Sequence, residues 1–175
     1  NNETGVIQPV GELARIARRL HPRVFIHTDA AQALGRVPLD CGGLQVDYMS
    51  VSAHKIGGPQ GVGALITAPG ARPARLLTGG GQEKRQRAGT ENAAGIAGFG
   101  AAAADAVAQL DNFAQLAILR DRMEQSIRAV EPRIVVAGGQ SPRVANTSCI
   151  ALPGLPAETQ LMALDLAGIA VSSGS

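Results

Sequence analysis

Asp47-Tyr-Met-Ser-Val-Ser-Ala-His-Lys-Ile-Gly-Gly-Pro59 is the stretch on which the reading of this chain turns. Val46 to Ser52 is an apolar, strand-like run. It delivers Ser52, His54 and Lys55 just before Gly57, Gly58 and Pro59 break the chain. Lys55 is one of only two lysines in 175 residues, Lys84 being the other; every remaining Lys/Arg-type cation is an arginine. Arginine stays charged and delocalised and cannot serve as an amine nucleophile. A lysine at the mouth of a buried strand, beside a hydroxyl and an imidazole, suits covalent attachment of a carbonyl cofactor. A solvated lysine in a turn is the alternative, and Lys-Ile-Gly-Gly alone would favour it.

Outward from this stretch, strand-like runs alternate with helical patterns, the signature of an α/β domain with a largely parallel sheet. Leu13, Ile16, Ala17 and Leu20 recur at helical spacing, so residues 11–20 are expected to form an amphipathic helix stopped near Pro22. Val24 to Thr28 reads as a buried strand ending at Asp29, and Gly63 to Thr67 as a further strand. A polar glycine loop, Gly79 to Gly89, leads to an alanine- and glycine-rich helix from about Glu91 to Leu110. Asp111 and Asn112 offer a break and an N-cap. Leu116, Leu119, Met123, Ile127 and Val130 then make one apolar helical face, ended by Pro132. A short strand after Arg133, a strand from Thr147 to Leu152, a helix from Pro156 to Ala167 and a last strand from Ile169 complete the expected order, with a domain boundary near residue 111.

Composition narrows the function classes. The chain is 45% hydrophobic and 17% charged, the latter below the usual quarter, and its 22 glycines point to tight turns and close backbone approaches. A net charge of +2, aromatics at 2% and no tryptophan leave little with which to stack bases, which argues against nucleic-acid binding. Cys41 and Cys149 lie far apart without metal-ligand spacing, so they read as free thiols of a reducing, cytoplasmic compartment. No run is long and apolar enough to span a bilayer. The start at Asn1 and the end at Ser175 both read as cut from something longer.

Open α/β sheets place ligands at the carboxyl ends of their strands. Two consecutive strands end here in complementary chemistry: one delivers Asp29 and, a turn later, Gln32; the other delivers Ser52, His54 and Lys55. Each has a plainer alternative. Asp29 could cap the next helix, Gln32 could lie on the surface, Ser52 could bond its own backbone, and His54 could be structural. Thr90, ahead of the helix beginning at Glu91, could bind an anion at the helix N-terminus or simply cap it. Together, the amine, the carboxylate, the amide, the hydroxyl and the imidazole match what pyridoxal 5′-phosphate requires: a lysine, a partner for the pyridine nitrogen, and polar contacts to the ring hydroxyl and phosphate.

The blocks Asn1-Asn-Glu-Thr-Gly5, Asp29-Ala-Ala-Gln32, Ser52-Ala-His-Lys55, Gly57-Gly-Pro-Gln-Gly-Val-Gly-Ala-Leu65, Gly79-Gly-Gly-Gln-Glu83 and Ala88-Gly-Thr-Glu-Asn92 resemble, in order, those of the cysteine desulfurases, class V members of the fold-type I pyridoxal phosphate enzymes. The resemblance implies part of the cofactor-binding large domain over 1–110 and part of an α+β small domain over 111–175. It implies Lys55 as the Schiff-base lysine, Asp29 on the pyridinium nitrogen, Gln32 and Asn2 at the ring hydroxyl, and Ser52 and His54 at the phosphate. Thr90 would reach the phosphate of a partner subunit's cofactor, hence a homodimer. His54 would also assist Lys55 in proton transfer. L-cysteine would be the substrate, with its sulfur passing through an enzyme persulfide to an acceptor scaffold protein. Ser172-Ser-Gly-Ser175 resembles the start of the loop carrying the nucleophilic cysteine, which would follow beyond Ser175; neither Cys41 nor Cys149 takes its place. Gln60 and Arg36 stand where lysines are frequent in the family, and Ala88 where serine is.

Other readings are a selenocysteine lyase, a class V transaminase, or a non-catalytic dimerisation piece without turnover. A glycine-rich nucleotide-binding module over Gly57 to Gly63 lacks the Walker or GxGxxG spacing.

Overall fold

A computed structural model describes residues 1–174; Ser175, the last residue of the expected cysteine-loop start, lies outside the described residues. The chain forms two compact units. One comprises residues 9–111, the other residues 1–8 together with the chain from Asn112 onward. The first eight residues thus pack with the C-terminal unit, whereas the sequence had grouped them with the first.

In the unit of residues 9–111, α1 (Val10–Leu20) carries Glu12 in its first turn and Arg18 and Arg19 in its last, complementing the helix dipole. It ends because Pro22 disfavours a helical conformation at His21, whose φ is −136°. Ala14 is buried on it, while Leu13, Ile16 and Leu20 stay exposed. The first strand, β1 (His27–Asp29), is shorter than expected and includes Asp29. The reason is a side chain distant in sequence. The Ile26 amide donates to Asp47 Oδ2 at 2.7 Å, and the Ile26 carbonyl accepts from the amides of Asp47 and Tyr48, so a side chain replaces the ladder there. One unexpected helical turn, α2 (Cys41–Leu44), is capped by Asp40, whose Oδ1 accepts from the Gly42 amide at 2.9 Å. Gln45 closes it at φ 55°, and β2 (Tyr48–Ser52) therefore starts two residues later than Val46.

β1 pairs parallel with β2, and β2 pairs antiparallel with β3 (Gly63–Thr67), so this three-stranded sheet is mixed rather than largely parallel. The return from β2 to β3 is too short for a crossover, and a short connection between paired strands enforces the antiparallel sense. Ala30, Val46, Met49 and Val51 form the core, with Val10, Leu34, Leu44 and Phe99 among the residues packed around it. Tyr48, Ser50 and Ser52 alternate onto the opposite, more open face of β2.

The link from β2 to β3 starts with a 3-10 turn, Ala53–Ile56, closed by Gly57 at φ 80°. α4 (Ala93–Ala108) packs against this turn. Its glycines permit the approach: a Cβ on Gly95 would lie 2.5 Å from Val62 Cγ2, and one on Gly98 2.7 Å from Pro59 Cγ. Asn92 caps α4, its Oδ1 accepting from the Gly95 amide at 3.0 Å, so the helix begins two residues after the expected Glu91. In the glycine loop before it, the single turn α3 (Gln82–Arg85) holds Glu83, Lys84 and Arg85 at positive φ. Asp111 and Asn112 do not break the chain but lie inside a further helical turn, α5 (Leu110–Ala114).

In the other unit, the face of α6 (Leu116–Val130) that packs is not the apolar stripe expected. Leu119, Met123 and Val130 are exposed. Glu124 instead accepts from Arg143 Nη1 and Nη2 at 2.8 and 3.0 Å and from Ser148 Oγ at 2.7 Å, and Arg120 donates to the Val144 carbonyl at 2.8 Å. The guanidinium and hydroxyl hold the Glu124 carboxyl below the ordinary glutamate range against the opposing effect of burial. β4 (Val135–Val136) and β5 (Ile150–Ala151) form an antiparallel pair, and the N-terminal segment makes an isolated antiparallel bridge, Val6 opposite Arg143, outside that pair. α7 (Ala157–Leu166) follows. The strand expected from Ile169 is absent among the described residues: no neighbour pairs with 169–174, and without a ladder partner an extended segment is not a strand.

Candidate functional site

Asp29, Gln32, Ser52, His54, Lys55 and Thr90 all belong to the unit of residues 9–111, and Asn2 to the other. The parallel register sets Asp29 beside Ser50, so β1 and β2 end side by side. Side chains of register partners share a face, and alternate residues return to it. His27, Asp29, Ser50 and Ser52 therefore line one polar face at the carboxyl ends of the two strands. The chain then tightens into the 3-10 turn that carries His54 and Lys55. An extended continuation would have carried His54 and Lys55 past the sheet edge. The tight turn keeps them at the strand end, locked by the Gly58 amide donating to the Ala53 carbonyl at 2.9 Å.

Two hydroxyl–imidazole pairs mark this face. Ser52 Oγ and His54 Nδ1 are 2.8 Å apart, and Ser50 Oγ and His27 Nε2 are 2.7 Å apart. The second pair escaped the sequence reading, although a histidine two residues before Asp29 falls on the same strand face. Asp29 Oδ1 accepts from the Ala31 amide at 2.9 Å and forms no ion pair among the described residues. This carboxylate stabilises the turn after β1, and no arginine or lysine pairs with it among the described residues.

Arg36 is the other residue the sequence underrated. It sits one turn beyond Gln32 and donates from Nη1 to Gln32 Oε1 and to the Gln32 carbonyl, and from Nη2 to the Lys55 carbonyl at 3.5 Å. The Gln32 turn and the Lys55 turn are thereby tied together. Gly35 makes room: its φ is 70°, and a Cβ there would lie 3.2 Å from Ile56 Cγ2 and 2.8 Å from Ala106 Cβ. Burial holds the pKa of the Arg36 guanidinium below the ordinary arginine value.

Thr90 is exposed and lies two residues before the α4 cap, so capping is the work of Asn92 and not of Thr90. Asn2 is exposed in a turn organised by Asn1, whose Oδ1 accepts from the Glu3 and Thr4 amides, each at 2.9 Å. Ser172 to Gly174 are exposed and in no regular element. A hollow of about 430 Å³ is lined by Arg75, Leu77, Thr78, Gly79 to Gly81 and Arg85; none of the residues from the strand ends borders it. No group of three or more His, Cys, Asp or Glu side chains among the described residues is placed to hold a metal ion.

The donor set fits pyridoxal 5′-phosphate. It combines one amine and a hydroxyl–imidazole pair at the end of β2 with a carboxylate on the adjacent strand that forms no ion pair among the described residues. Held in this order, the groups can bind an aldehyde covalently, stabilise a ring cation and donate to an anionic group.

Comparison with known proteins agrees with this chemistry. The family model described as Aminotransferase class-V matches residues 1–175. Over the whole chain the sequence is 44% identical to a cysteine desulfurase of Klebsiella pneumoniae and 46% identical to one of Cereibacter sphaeroides, covering 44% of each. The fold superposes on a NifS-like protein from Rickettsia africae with a TM-score of 0.92 and 36% identity, over the whole of this chain and 48% of that one. The chain therefore spans about half the length of the relatives it matches.

Proposed function

This chain belongs to the class-V aminotransferase family, whose enzymes use pyridoxal 5′-phosphate, and from that premise we propose that it is the cofactor-binding middle of a cysteine desulfurase. Such an enzyme converts L-cysteine to L-alanine and passes the sulfur, through a persulfide on an enzyme cysteine, to an acceptor scaffold protein of iron–sulfur or thio-cofactor assembly. The observation that carries the reading is the parallel β1–β2 pair, which brings Asp29 beside the strand that ends at Ser52 and leads into the turn carrying His54 and Lys55.

When bound, the cofactor supplies an electron sink for the carbon of the substrate that loses a proton. Lys55 would hold the cofactor through its amine and, as a free amine, would move the proton at that carbon. Asp29 keeps the ring nitrogen protonated by placing a negative charge against it. Ser52 and His54, paired at 2.8 Å through Oγ and Nδ1, would face the phosphate; with Oγ as the donor, His54 would carry its proton on Nε2 and donate it there. His54 also assists Lys55 in proton transfer. Gln32 would contact the ring hydroxyl. Thr90, left free of the α4 cap by Asn92, would reach the phosphate bound by a partner subunit in a homodimer. The location is cytoplasmic, where Cys41 and Cys149 remain free thiols.

The test is Lys55→Ala in the full-length enzyme. The visible absorbance of lysine-linked cofactor and its fixation by borohydride should both vanish, and alanine release should fall to background. A normal lysine-linked band in that variant overturns the assignment.

A further inference from the structure

Arg36 is held by neutral acceptors only: the side-chain and main-chain oxygens of Gln32 and the main-chain oxygen of Lys55. No carboxylate pairs with it among the described residues. A guanidinium that surrenders water without gaining a counter-charge is a costly choice for mere packing. What it does gain is direction. Arginine carries five donors and no acceptor, whereas a glutamine amide has an accepting end and a donating end related by a half-turn. Arg36 can therefore be satisfied by Oε1 alone, and the amide is fixed with its nitrogen turned away from Arg36.

We propose that Arg36 is a positioning residue that sets the orientation of the Gln32 amide and couples it to the Lys55 turn, so that Gln32 meets the cofactor's ring oxygen as a donor. The inference rests on the reading that Gln32 contacts that oxygen. Reversed, the amide would oppose two oxygens and weaken rather than strengthen the contact. The contact to the Lys55 carbonyl adds a second effect: a movement of the Gln32 turn is felt at the residue that holds the cofactor.

The experiment uses the full-length enzyme and follows the visible absorbance of the bound cofactor against pH. A donor to the ring oxygen stabilises its anionic form and eases loss of the neighbouring proton. Losing that donor should raise the pH midpoint by roughly half to one unit. Arg36→Met and Gln32→Leu should each give this rise, and Arg36→Met added to Gln32→Leu should give no more. Arg36→Lys keeps a donor-only group and should recover most of the shift. Arg36→Gln can both donate and accept, should shift the midpoint in the same direction, and serves where Arg36→Met does not fold. An unchanged midpoint in a folded Arg36→Met or Arg36→Gln variant with full cofactor content overturns the proposal, as does an equal further rise when Arg36→Met is added to Gln32→Leu. Lys55→Ala is the control on the premise. Retention of its lysine-linked band defeats the functional reading itself, whereas loss of that band with no Arg36 effect defeats only this inference.

Discussion

Glu124→Gln tests how the C-terminal unit is held together. Arg143 makes a two-pronged contact to Glu124 at 2.8 and 3.0 Å, and the two side chains are only 5% and 13% exposed. Removing one member of a buried pair costs about 3–5 kcal/mol, because the other charge is left without compensation. Glu124→Gln keeps the shape and one accepting oxygen but sets an amide N–H against a guanidinium N–H. With some water reaching Glu124, the lower end applies, about 3 kcal/mol. Urea unfolding should show a lower midpoint at unchanged slope. The pH dependence follows in sign. Because the folded-state pKa of Glu124 is depressed, its stabilisation is fully present above the ordinary glutamate value of 4.5 and is lost as pH falls through the folded value. The variant should therefore lose part of the acid limb seen in the wild type. Glu131 is the contrast. Its carboxyl is held down to about 2 by Arg133, yet Arg133 is 69% exposed, and Glu131→Gln should leave stability unchanged within error. Equal effects from the two substitutions, or a Glu124→Gln loss under about 1 kcal/mol, would refute the argument from burial.

Gly35→Ala should destabilise the unit of residues 9–111 by at least about 1–2 kcal/mol, since alanine dislikes the left-handed backbone there and its Cβ would meet Ala106 Cβ at 2.8 Å. A neutral result in thermal unfolding would mean that the Gly35 turn readily rearranges. Asn92→Ala should cost about 1 kcal/mol through the lost α4 cap, while Thr90→Ala should leave stability intact and, on the proposed function, weaken cofactor retention in the full-length enzyme. Comparable unfolding losses from both substitutions would return the capping role to Thr90.

The sequence alone set the candidate chemistry and its order along the chain. Lysine scarcity singled out Lys55, and strand ends followed by polar residues brought Asp29, Ser52 and His54 into one argument, because residue type and spacing directly encode local patterning. It also gave α1, β3 and α7 to within a residue or two. Only the tertiary structure decided what depends on partners distant in sequence. Asp47 reached across to the Ile26 amide and shortened β1. The polar pair Glu124–Arg143 chose the packing face of α6 over its apolar stripe. Residues 169–174 found no neighbour with which to form a strand. Arg36, in the sequence only a departure from the family's usual lysine, became central when the turn at Gly35 carried it onto both Gln32 and the Lys55 turn. Propensity is a property of a few neighbouring residues. Hydrogen-bond satisfaction is a property of whatever the fold brings within about 3 Å, and it made each of these decisions.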